Sequence, residues 1–159
     1  MNLYIIRHTE AEYLGTGPGG ERQITPEGKA QFTSAVEGLS NSIPELDLII
    51  SSPALRTKQT MDILAELSGN GVKKEVATEL RSGAPIADIY AMVNSFKEEN
   101  VAIIMHEPET SLLVMNATGS GSMDIYFKPG TIAKVVFPGK MKPHAGRLHF
   151  IVPPDIFEK

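Results

Sequence analysis

The chain has no cysteine, which excludes disulfides, thiolate catalysis and cysteine-based metal sites. It also lacks any apolar run approaching the roughly 18 residues of a membrane span. Its first residues, Met1-Asn2-Leu3-Tyr4-Ile5-Ile6-Arg7, carry neither a basic leader nor the apolar length of a signal peptide. Together these absences predict a cytoplasmic protein with no membrane partner. Internal repeats, low-complexity tracts and an interdomain linker are missing too. The 15 Lys and Arg residues form no block and the net charge is −4, so no nucleic-acid partner is expected. Any anion site has to be a local cluster of positive groups.

What remains is ordinary globular sequence: 159 residues, 42% hydrophobic and 21% charged, enough for one domain with its own core. Short apolar runs alternate with amphipathic stretches. Leu3 to Ile6, ending at Arg7, reads as a buried strand. After a polar, glycine-rich loop over 8–24, Thr25-Pro26-Glu27 opens a helix with Thr25 as N-cap, and Phe32, Ala35, Val36 and Leu39 share one face. Leu48-Ile49-Ile50 is a second strand, and Ser52-Pro53 reads as another helix start. Thr60, Ile63, Leu64 and Leu67 line that helix before Gly69-Asn70-Gly71 stops it. A weaker strand is expected near Lys74 to Ala77. A helical stripe of Ile86, Ile89, Tyr90, Val93 and Phe96 precedes a buried strand over Val101 to Met105, and Pro108 begins the next helix. Ile132 to Phe137 and Leu148 to Val152 read as an antiparallel pair. The pattern predicts an α/β fold, a three-layer α/β/α sandwich with a mostly parallel central sheet and a C-terminal antiparallel strand pair.

In such sheets ligands collect beyond the carboxyl ends of the strands. Arg7-His8 closes the first strand, Arg56 lies just after the second, and His106 closes the Val101–Met105 strand. These residues suit phosphoryl transfer. Guanidinium forks match phosphate oxygens in two-point contacts and stay charged. Neutral imidazole, with an unperturbed pKa near ~6.5, offers a nitrogen nucleophile at neutral pH. A phosphorylated imidazole can be discharged by water, which splits one hard step into two. A ring of Arg and His compensates the charge of the transition state without a metal or other cofactor.

Several segments then resemble one known family. Arg7-His8-Thr9-Glu10 resembles the Arg-His-Gly/Thr signature of the histidine phosphatase superfamily, which includes cofactor-dependent phosphoglycerate mutases. Arg22-x-Ile24-Thr25-x-x-Gly28 and Ser51-Ser52-Pro53-x-x-Arg56-x-x-x-Thr60 are similar to two further motifs. Thr78-Glu79-Leu80 sits where the family places an acidic residue, and His106-x-Pro108 matches its second histidine motif. The resemblance implies one histidine phosphatase domain over 1–159 with His8 as the nucleophile. It implies that Arg7, Arg56 and His106 bind the transferring phosphoryl group, and that Glu79 is the proton donor to the leaving group. The compact plan and the late Ile125-Tyr126-Phe127-Lys128-Pro129-Gly130 segment resemble the SixA group of protein phosphohistidine phosphatases. The partner this implies is a phosphohistidine-bearing signalling or phosphotransfer protein. A small phosphorylated metabolite is the alternative, and a non-catalytic module that binds phosphorylated partners is a third reading.

The sequence also departs from the family pattern. Met105 stands where Gly or Ser usually precedes the second histidine, and Glu107 and Glu109 add negative charge beside a phosphate pocket. They could discourage small anionic substrates or point into solvent. Ser52 reads as a helix cap, because no serine-hydrolase elbow surrounds it. The Gly15–Gly20 loop lacks the Gly-Lys-Ser/Thr ending of a phosphate loop and reads as a surface loop at the site mouth. His144 and His149 in the tail are expected in solvent rather than on a metal.

Overall fold

The computed structural model describes residues 1–43, 45–69 and 71–158. Ten regular elements follow in chain order. They are β1 (Asn2–Arg7), α1 (Pro26–Gly38), β2 (Leu48–Ser51), α2 (Leu55–Leu67), β3 (Lys73–Val76), α3 (Ile86–Asn94), β4 (Asn100–Met105), α4 (Glu109–Thr118), β5 (Ile132–Val136) and β6 (Arg147–Val152). The strands form one six-stranded sheet in the order β3-β2-β4-β1-β5-β6. The first four strands of that order run parallel, while β5 and β6 are antiparallel additions.

The apolar runs are continuous because both faces of these strands are covered. Side chains alternate across a strand, so Leu3, Ile5, Val101 and Ile103 pack under Ile89, Val93, Leu113 and Val114 of α3 and α4. Tyr4, Ile6, Ala102 and Ile104 pack under Phe32 and Val36 of α1 and Met61 and Leu64 of α2. This is the expected three-layer α/β/α sandwich. The edge strand β3 has Lys73, Lys74 and Val76 exposed, which is how its pattern came to look weak. Several boundaries differ by a residue or two from the pattern: β3 spans Lys73–Val76, β5 ends at Val136, β6 starts at Arg147, and α3 ends at Asn94, although Phe96 still packs on the core. Gly69 and Gly71 have positive φ, as a helix stop requires, while Asn70 lies outside the described residues.

The order of the strands positions the site. Strand β4 lies between β1 and β2, and the register sets Arg7 opposite Met105 and Ser51 opposite Ile104. The carboxyl ends of β1, β2 and β4 therefore finish together. Helix α1 begins as expected: Thr25 Oγ1 accepts from the Gly28 amide at 3.0 Å and Pro26 occupies the first turn. Helix α2 does not. It starts at Leu55 behind Ala54, with no side-chain cap, so Ser52-Pro53 is not the helix start its pattern suggests. The Ser52 amide is still donating to Ile104 O in the strand ladder, and its hydroxyl stands at 3.5 Å from the Ala54 amide. The carboxylate of Glu21 takes over, accepting from the Leu55 amide at 3.0 Å.

Gly28 shows why that first turn of α1 needs a glycine. A Cβ there would sit 2.7 Å from the Glu10 carbonyl oxygen, and the Thr9 hydroxyl donates to Gly28 O at 2.8 Å. The turn is pressed against the backbone that follows His8, and backbone cannot yield as a flexible side chain can. Gly28→Ala is expected to cost about 1–3 kcal/mol through this overpacking, read as a lower urea midpoint. An unchanged midpoint would show that the contact is slack.

Candidate active site

At the shared strand ends, four side chains from three parts of the chain meet. His8 follows β1 with its amide donating to Met105 O at 3.1 Å, so the β1–β4 ladder extends to the histidine itself. His106 follows β4. Arg56 stands in the first turn of α2 and reaches both rings, with Nε donating to His8 Nε2 at 3.3 Å and Nη2 donating to His106 Nδ1 at 3.2 Å. The two imidazoles lie edge to face, 5.4 Å between centroids.

Guanidinium has only donors, and this decides both tautomers. His8 Nε2 and His106 Nδ1 have to be the unprotonated nitrogens. The other ring nitrogens are donors: His8 Nδ1 donates to Thr9 O at 2.7 Å, and His106 Nε2 donates to Ser52 Oγ at 2.9 Å. Each ring therefore presents a lone pair to the same cation. Arg7 adds a second cation from below, with Nη1 donating to Phe127 O at 2.6 Å. Its Nε is buried without a protein partner, leaving a donor free for an oxyanion.

The electrostatics favour neutral rings. His8 is 7% exposed and His106 5%. Burial, reinforced by Arg56, His106 and Arg7 and only partly offset by the Thr9 carbonyl, pushes the His8 pKa down to about 3. Burial and then Arg56 and Arg7 bring His106 to about 4. Loss of solvation and proximity to cations act in the same direction on an imidazole. At neutral pH both rings are uncharged.

The two glutamates after His106 are neither in solvent nor turned on the site. Glu107 accepts from the Ser111 amide at 3.0 Å and the Ser111 hydroxyl at 2.8 Å, serving the open first turn of α4. Burial raises its pKa. Glu109, 6% exposed, accepts from the Gly83 amide at 2.7 Å. Glu79 lies on a short 3-10 turn, Thr78–Leu80, half-buried, with the Thr78 hydroxyl as its side-chain partner at 3.4 Å. It is not brought into bonding distance of His8, Arg56 or His106. His144 and His149 are exposed, as expected, and no group of three or more potential metal ligands occurs among the described residues.

Three supports for the site were not assigned from the sequence. Ser52 orients His106, Thr60 Oγ1 accepts from the Thr9 amide at 3.1 Å, and the Phe127 carbonyl holds Arg7. Ser52 and Thr60 both lie in the stretch that carries Arg56, which was the available signal for them. A backbone carbonyl 120 positions away leaves none. The site opens into a shallow cleft of about 400 Å³, lined by Glu21, Ser52, Arg56, Arg81, Ser82 and His106 among others. A larger cavity of about 660 Å³ lies between α1 and Phe157 and holds none of these groups. Of the two, the smaller is the one where charge and imidazole converge.

The lowered histidine pKa values give stability a definite pH dependence. Unfolded histidines take up protons near pH ~6.5, whereas the folded rings stay neutral until about pH 4 and 3. The unfolded state then binds more protons, so stability is full above pH ~6.5 and falls as pH drops towards 3. The urea midpoint should fall between pH 7.5 and 4.5, and fall less in a His8→Gln, His106→Gln double variant. Equal falls in both proteins would contradict buried neutral rings.

The family model described as "Histidine phosphatase superfamily (branch 1)" matches residues 3–82. No curated protein matches the chain by sequence. Among solved structures, the chain is similar to the protein histidine phosphatase SixA complexed with tungstate, with a TM-score of 0.85 and 20% identity over 99% of this chain and 100% of that one. It is similar to the alpha-ribazole phosphatase from Shigella flexneri, with a TM-score of 0.68 and 14% identity over 97% of each chain. A mycobacterial glucosyl-3-phosphoglycerate phosphatase in complex with VO3 gives 0.67 and 16%, over 94% and 97%. At these identities the structures speak for a shared fold. Half of the chain, carrying Arg7, His8 and Arg56, matches the family model itself, and the protein belongs to the histidine phosphatase superfamily, branch 1, as a phosphatase.

Proposed function

We propose that the protein removes the phosphoryl group from phosphohistidine on another protein, with His8 as the transient carrier and no metal required. The observation that supports this most is the single Arg56 guanidinium that faces the unprotonated nitrogens of both His8 and His106. An arriving phosphoryl group takes the place between them. Its oxygens accept from Arg56 and from the buried, unpartnered Nε of Arg7, and the His8 Nε2 lone pair is left facing phosphorus.

In the first step the His8 Nε2–P bond forms and the P–N bond of the substrate breaks, in line with the attack. The leaving imidazole keeps the electron pair of the broken bond. If its other nitrogen already carries a proton it departs neutral and needs little from an acid. This accords with Glu79 making its side-chain hydrogen bond to Thr78 and none to either ring. In the second step a water oxygen bonds to phosphorus, the His8 N–P bond breaks with its electron pair returning to Nε2, and the water's protons leave on the phosphate, which restores neutral His8. His106, held by Ser52 through Nε2, takes a proton from solvent on Nδ1 as the dianion arrives and donates it to a phosphoryl oxygen. The cations and donors supply the compensation of charge that phosphoryl transfer needs.

The shape of the cleft supports this substrate class. It is shallow, and its walls are the loop at Glu21 and the turn at Arg81 and Ser82 rather than a lid. A protein surface can present a phosphorylated ring to such an opening, whereas small metabolites are usually enclosed. The SixA likeness favours the same reading. The alpha-ribazole phosphatase shares the fold, and hydrolysis of a small phosphomonoester is the alternative.

Phosphate release in excess EDTA, from a phosphohistidine-bearing protein and from p-nitrophenyl phosphate, separates these readings. The wild type should prefer the phosphohistidine protein. His8→Ala should lose turnover of both by at least about three orders of magnitude. Turnover of the small ester alone would move the substrate to metabolites, and dependence on added metal would refute the charge argument. Ser52→Ala frees the His106 ring to rotate, and kcat should fall by up to about 100-fold. An unchanged kcat would remove Ser52 from the positioning of His106.

A further inference from the structure

One strong cation in the cleft is left unused by this chemistry. Arg81 lines the cleft with Arg56 and His106, and Ser82 stands beside it. Both are exposed, and among the described residues neither side chain makes a hydrogen bond or an ion pair. Glu21 in the same cleft accepts from the Leu55 amide, Glu109 from the Gly83 amide and Glu107 from Ser111, and none of the three bonds to Arg81.

The backbone that carries Arg81 is fixed relative to the reacting groups. Leu80 is fully buried in the core just before it. The Arg81 amide donates to Thr78 O at 3.1 Å, and the Ala84 amide to Arg81 O at 3.1 Å. Gly83, with φ of +81°, turns its amide onto the buried Glu109. Glu109 begins α4, whose first turn includes the Thr110 amide donating to His106 O at 2.9 Å. A short chain of bonds thus ties the Arg81 turn to His106.

Geometry also says which part of a substrate meets Arg81. In-line transfer to His8 sets the leaving group on the far side of phosphorus. His8 is buried and bonded to Arg56, which lines the cleft with His106, so a group leaving from the His8 side has the cleft, with Arg81 and Ser82 in its wall, as its way out. We propose that Arg81 and Ser82 form a second anion subsite that takes a carboxylate carried on the leaving-group side of the substrate. Resting on the proposed attack by His8, this specifies an acidic side chain flanking the phosphohistidine. A guanidinium fork binds a carboxylate at two points, and the Ser82 hydroxyl can donate to the same group.

Binding of unreactive aryl phosphonates tests the subsite without relying on turnover. The dissociation constants of phenylphosphonate and 4-carboxyphenylphosphonate would be compared by calorimetry at low salt. The wild type should bind the carboxylated ligand more tightly by about fivefold, the upper range for a solvent-facing charge pair. Arg81→Ala should bring the ratio to about one, Arg81→Lys should keep part of it, and Arg147→Ala, on distant β6, should keep all of it. Equal affinities in the wild type, failure of both ligands to bind, or a ratio that survives Arg81→Ala would each overturn the subsite. Failure of the phosphohistidine reading would appear separately, as phosphohistidine protein left intact by a wild type that retains the binding ratio.

Discussion

The Arg56 guanidinium between two neutral imidazoles is the contact on which the site depends. One donor group reads two acceptor nitrogens, and so fixes which nitrogen of each ring is bare. For that to happen, His8 and His106 have to leave adjacent strands at the same level, and α2 has to begin beside them. The placement of β4 between β1 and β2 provides the first condition. The short step from β2 through Ser52 to Leu55, with Glu21 closing the first turn of the helix, provides the second. The rest of the sandwich holds these ends in place: an apolar sheet buried on both faces leaves little freedom to shift register.

Charge is distributed to the same end. The chain is acidic as a whole, yet the strand ends gather Arg7 and Arg56 and turn the nearby carboxylates onto backbone amides. Glu107 and Glu109 satisfy peptide groups that a helix start and a tight turn leave open. The surroundings of the rings therefore stay positive and largely dry, and both effects keep imidazole unprotonated. A neutral His8 at physiological pH is what a nitrogen nucleophile requires. The burial that keeps the ring unprotonated also makes the protein less stable in acid, so the charge state of His8 and the acid stability have one physical cause.

Much of this was legible in the sequence. Runs such as Leu3–Ile6 and Val101–Met105 are readable because strands covered on both faces need unbroken apolarity. Thr25-Pro26 is readable because a cap and a fixed φ act locally. Arg7, His8, Arg56 and His106 all fall at predicted strand ends or just beyond, where ligands collect in this architecture. What escaped was decided by contacts distant in sequence. Ser52 has the residue type of a cap, and only the arrival of His106 shows that its hydroxyl is engaged elsewhere. The Phe127 carbonyl that holds Arg7 is invisible because every residue has one. The direction in which Glu107 and Glu109 turn depends on which amides α4 and Gly83 leave unpaired, and no local pattern encodes that.

The central claim is that His8 carries the phosphoryl group. Its most direct measurement is rapid quenching of the enzyme during turnover in EDTA, followed by mass spectrometric mapping of the phosphorylated residue under alkaline conditions, where a phosphoramidate survives. A single phosphoryl group on His8, appearing and decaying within the time of one turnover, is the predicted result. A phosphoryl group on any other residue, or steady turnover with no phosphorylated protein at any quench time, would contradict it.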